Sequence, residues 1–178
     1  MNPLEVVGAV ASIVTVIVAV IGVYPLFHSL KQTERSLRFD VYYQVLEMLE
    51  KTRQARHLLY DNVPQEPSDI SLSQLSPQEI EQLDEFARTC DKLGLLVKHG
   101  VVPLDFVLDF YSRPLVIAWH RLEPHVTAER RKRNQPGHMV KFEMLAIEAK
   151  KHRDKHHPGE ETFTLTVEQV TRWKMWHR

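Results

Sequence analysis

The sequence predicts an all-α protein, one N-terminal transmembrane helix followed by a cytoplasmic multi-helix bundle. Three observations carry this. An uncharged run of 22 residues, Val6–Phe27, opens the chain. Beyond it, apolar residues recur at steps of three and four, with almost no alternation. Helix-start and helix-stop residues then punctuate that pattern, as at Ser76 and Gly100. The expected division is residues 1–28 as the membrane helix, 29–157 as the helical domain and 158–178 as a C-terminal tail with a last helix.

Residues 6–27 are long enough, at about 1.5 Å per residue, to cross a hydrocarbon core of roughly 30 Å. A secretory signal would begin with basic residues and carry a shorter apolar stretch. Here the chain begins "MNPLE", and Lys31, Arg35 and Arg38 come only after the run. The positive-inside rule therefore puts the N-terminus outside and the body in the cytoplasm of a bacterial inner membrane. Tyr24 and Phe27 suit an interfacial belt.

Within this run Gly8, Ser12, Thr15, Ala19 and Gly22 fall at spacings of four, three, four and three, and only Val, Ile and Ala lie between them. Lipid tails are as apolar as Val, so membrane helices associate where small residues allow close approach and hydroxyls bond across. The stripe has heptad spacing, the geometry of a shallow helix crossing. It reads as a self-association seam or, in a wider ring, as the wall of a lumen; small residues are also simply common in membrane helices.

The body follows in order. Residues 26–60 carry Leu30, Leu37, Val41, Val45, Leu49 and Leu59 at helical steps. Residues 63–79, with three prolines, read as a loop. "SPQE" at Ser76–Glu79 is a capping box with Pro at the first helical position. The helix it opens shows Ile80, Leu83, Phe86, Ala87, Cys90, Leu93 and Leu96 on one face, and Gly100 stops it. A short helix is expected after Pro103 and a separate one after Ser112, with Pro114 in its first turn. "RKRNQPGH", residues 131–138, reads as a loop. The next helix is apolar at Met139, Phe142, Leu145, Ala146 and Ala149. In the tail "TFTLTV" alternates like a strand, yet Thr166 and Gln169 would cap a helix holding Val170, Trp173 and Trp176.

Composition bounds the function. The chain has 178 residues with 23 basic and 23 acidic side chains, so nucleic acid is not an expected partner. A single cysteine, Cys90, precludes an internal disulfide and fits a reducing compartment. The expected partners are membrane lipid, further copies of the chain and a protein bound by the cytoplasmic domain.

"DKLGLLVKHGVVPLDFVLDF", then Trp119 with "RLEPHV", then "FEMLA" at Phe142–Ala146, resemble a bacterial family known as domain of unknown function 4760. The resemblance spans about residues 37–149. It implies a small membrane-anchored helical protein and no established catalytic residues. The layout alone is similar to the membrane accessory proteins of RNA-targeting type VI-B CRISPR systems, described as divergent helical (HEPN) bundles that form pores. That similarity implies an antiviral effector.

HEPN ribonucleases place an Arg four to six residues before a His, so that both meet the RNA phosphate for acid–base chemistry. Arg133 and His138 fit that spacing best, although Pro136 and Gly137 intervene. With 13 Arg and ten His in the chain, matches at this spacing also arise by chance. No enzyme activity is expected from the sequence, with a membrane-tethered ribonuclease and a membrane-anchored adaptor or scaffold as the alternatives. His152 and His156 share a helix face but sit among cations, so no metal is expected; nor is a cofactor, since no phosphate loop or nucleophile elbow occurs. Cys90 reads as a core side chain. Arg130, Arg131, Lys132 and Arg133 form the one dense basic run, suited to an anionic membrane surface or RNA backbone, or simply to solvent.

Overall fold

A computed structural model of the chain describes residues 36–37, 39–64, 74–159 and 166–176. All regular structure among these residues is helical. The membrane-helix expectation and its stripe, Gly8, Ser12, Thr15, Ala19 and Gly22, lie outside the described residues. Among the described residues no helix is long and apolar enough to cross a membrane. The chain divides into two units, one ending at Tyr43 and one running from Gln44 to Arg178.

Residues 39–51 form α1. The remaining helices are α2 (Arg53–Asn62), α3 (Pro77–Lys98), α4 (Leu104–Arg133), α5 (Val140–His156) and α6 (Val167–Trp176). In the larger unit α5 packs against α3, α4 and α6, while α2 lies on α3 and α4.

The start of α3 is the capping box that its sequence predicts. The Glu79 amide donates to the Ser76 hydroxyl at 3.3 Å and the Ser76 amide donates to the Glu79 carboxylate at 2.7 Å. This satisfies two amides that a helix start leaves without partners. The helix ends at Lys98, and Gly100 takes φ +68°, a left-handed conformation that favours glycine. Leu83, Phe86, Ala87, Cys90 and Leu93 of the predicted face are buried.

The two helices expected after Pro103 and Ser112 are one helix of 30 residues with Pro114 and Pro124 inside it. A proline inside a helix costs about 3 kcal/mol through its missing N–H and its clash with the preceding turn. Burial opposes that cost: Val107, Leu108, Tyr111, Leu115, Val116, Trp119, Leu122 and Val126 are all inside. Each fully buried large apolar side chain contributes roughly 1.5–3 kcal/mol. The expected 131–138 loop is shorter at its start, because α4 continues through Arg133. Asn134 ends it in the left-handed region, its amide bonded to the Arg131 carbonyl and the Gln135 amide to the Arg130 carbonyl. That is a Schellman end with Asn in glycine's place.

Helix α5 is the centre of the unit. Residues 142–147 are all buried, so apolar periodicity no longer marks a single face. Asp91 of α3 caps it from outside, accepting from the amides of Lys141 (2.8 Å) and Phe142 (2.9 Å). Phe142 meets Trp119 edge-on, with ring centroids 5.2 Å apart. Helix α6 begins as Thr166 and Gln169 predict: the Gln169 amide donates to the Thr166 hydroxyl and the Thr166 amide to the Gln169 side chain. Residues 160–165, where the strand alternative falls, lie outside the described residues.

Candidate functional site

The chemistry-bearing side chains converge on the end of α4, the turn after it and the first half of α5. At the centre is Glu143, fully buried. Arg130 Nη2 donates to it at 2.8 Å and Arg172 Nη2 at 2.6 Å. Arg130 Nε also donates to the His138 carbonyl at 2.8 Å, which ties the turn to the helix. Arg172 also pairs with Glu168, one helical turn before it on α6. A buried carboxylate survives only when charge and hydrogen bonds replace its water, and two guanidinium groups do that here.

Arg130 was read in sequence as part of an exposed basic run, but it belongs to this buried joint. Arg131, Lys132 and Arg133 remain outside, and Glu129 accepts from Lys132 at 3.4 Å and from Arg133 at 2.7 Å. Arg56 of α2 stacks on Tyr111, and Arg121 binds the Leu59, Tyr60 and Val63 carbonyls at the end of α2. Helices α2 and α4 therefore run parallel. The exposed run sits at the end of α4 remote from the start of α2.

Arg133 closes α4, and His138 lies in the turn before α5. They are on different elements and share no helix start. The His138 imidazole is half-buried, and its pKa is lowered by that burial and then by the Arg133 charge. It is neutral at pH 7 and able to accept a proton. Nearby, His125 Nε2 and Asp84 Oδ1 are 2.9 Å apart. The His125 hydrogen bond holds the Asp84 carboxyl below its usual range.

Glu123 accepts from Gln169 at 2.7 Å, and its pKa is raised by burial and then by Glu143. His152 and His156 stack with ring centroids 4.3 Å apart, and His156 Nδ1 is 2.8 Å from the His152 carbonyl. Among the described residues no group of three or more His, Cys, Asp or Glu side chains is placed to hold a metal. Cys90 is fully buried, which pushes its thiol pKa far up and keeps it protonated. Trp173 donates to Glu148 and is covered by Lys151, so this tail aromatic packs onto α5.

Sequence reasoning missed Glu143, Arg172, Asp91 and Arg121. Each looks like an ordinary surface charge. The one available signal was Glu143 inside "FEMLAI", an acid in an otherwise apolar run.

Together these features define a helical bundle closed around a buried ionic joint. A family model described as a domain of unknown function, DUF4760, matches residues 9–149, and the chain belongs to that family. No curated protein and no solved structure matches. The matched stretch begins inside the apolar run and ends within α5, so Arg172 and the rest of α6 lie beyond it.

Proposed function

We propose that the chain is a single-pass membrane protein, N-terminus outside and bundle in the cytoplasm, that self-associates through its membrane helix. The observation carrying this is the uncharged segment Val6–Phe27 with small residues at Gly8, Ser12, Thr15, Ala19 and Gly22. The family match supports it, because it runs from Ala9 of that segment through most of the bundle as one pattern. The ionic groups of the bundle also support it. Glu143, Arg130, Arg172 and Arg121 bond one helix to another, the work of a rigid body. By its layout, such an assembly would act as an effector that perturbs the bilayer.

The test is the mass of the full-length protein in mild detergent, corrected for bound detergent. A discrete oligomer that falls to monomer on Gly8→Leu/Gly22→Leu substitution is the expected result. A monomeric wild-type protein would overturn the reading. RNA cleavage abolished by His138→Ala would replace it with a tethered ribonuclease.

A further inference from the structure

A cleft of about 360 Å³ opens beside the turn that joins α4 to α5. Three cations from three helices line it: Lys98 at the end of α3, Lys141 in the first turn of α5 and Arg172 of α6. Val140, Met144 and Pro136 supply apolar lining, and Gly137 completes the rim. A Cβ built on Gly137 would meet nothing within 4 Å, so the space above it is open.

We propose that this cleft binds a small phosphate-class anion, its charged group between Lys98 and Lys141 and its apolar part against Val140 and Met144. Four observations support this. The volume lies in the range of small-ligand sites, roughly 300–1,000 Å³. No carboxylate lines the cleft. The nearest acids are engaged elsewhere, Asp91 on the α5 amides and Glu143 between Arg130 and Arg172. Finally, Lys98 reaches within hydrogen-bonding distance of Lys141, whose pKa is lowered by burial first and by Lys98 next. Two ammonium groups so close repel, and an anion between them turns that repulsion into attraction. The positive end of the α5 dipole adds to the same field.

The cleft lies wholly within the larger unit, so the inference stands independently of the membrane reading. A phosphate can arrive as a soluble anion or on a lipid headgroup, and two arms separate these. In the first, full-length protein in neutral detergent is titrated with inorganic pyrophosphate in a calorimeter. One site per chain is expected, weakened about tenfold or more by Lys98→Glu and by Lys141→Met, a loss of at least one charged contact. Lys92→Glu, an exposed lysine on α3 paired with Glu85, should bind as wild type. In the second arm, lysophosphatidylglycerol is doped into the micelles and the melting temperature is followed. Stabilisation there that vanishes in Lys98→Glu, without pyrophosphate binding, assigns the site to a headgroup. Lys98 is exposed, so its variant keeps the test valid if Lys141→Met fails to fold. Absence of binding in both arms, or binding unchanged by Lys98→Glu, overturns the proposal.

Discussion

The two sides of α5 are held by different physics. Towards α3 the contact is one of shape. Gly94 lets the α3 backbone lie so close that an added Cβ would sit 2.4 Å from the Lys141 carbonyl oxygen. Towards α6 the contact is one of charge: Arg172 on Glu143, Gln169 on Glu123 and Trp173 on Glu148. Close packing is stiff and almost indifferent to salt or pH. A joint of partly buried ions depends on every member staying charged and paired. The α3 side is therefore expected to behave as a fixed core and the α6 side as a conditional clasp.

The largest effect should come from breaking the clasp at its centre. Glu143→Ala leaves two guanidinium groups facing each other, and removing one partner of a buried ionic pair costs about 3–5 kcal/mol. Denaturant unfolding of the full-length protein in neutral detergent measures this. Replacing Arg130, Glu143 and Arg172 together with Met or Leu should cost far less than the single change. That result would show that pairing, more than charge itself, holds the clasp.

Gly94→Ala attacks the other side. The neighbour is backbone, so the helices must separate, and overpacking of this kind costs about 1–3 kcal/mol. The loss should be the same at low and high salt, unlike that of Glu143→Ala.

A smaller effect belongs to Glu123. Its pKa is raised in the folded state, so the fold binds that proton more tightly than the unfolded chain does. The group thus lowers stability as pH rises from about 4.5 through its folded value, and the cost is complete above it. Glu123→Gln keeps an acceptor for Gln169 and removes the charge. It should stabilise the protein at pH 7 and leave stability unchanged well below pH 4.5, as thermal melts across that range would show.

The smallest effect tests the α2–α4 contact, a control outside both faces. The Tyr111 hydroxyl is buried without a hydrogen-bond partner, beneath Arg56 at 5.3 Å from the ring centroid. Tyr111→Phe keeps the ring and the cation contact, so its melting curve should shift by less than about 1 kcal/mol of stability.

The same contrast governs what can be read in advance. The α3 face was legible because Leu83, Phe86, Cys90 and Leu93 repeat at helical spacing against a single core. The clasp was not, because Arg130, Glu143 and Arg172 lie 13 and 29 residues apart and nothing local distinguishes them from solvated charges. The candidate pair Arg133 and His138 was legible only as a spacing. The cleft has no linear signature, since its cations come from three helices.

The sequence by itself determined where helices begin and end. Ser76 with Glu79, Gly100, and Thr166 with Gln169 act on backbone groups within a few residues, so their effect is local and survives any packing. Only the tertiary structure decided that Pro114 and Pro124 stand inside one helix, because burial along α4 outweighs a local penalty. It alone decided that Arg130 turns inward, because a buried carboxylate from another helix is the stronger partner than water.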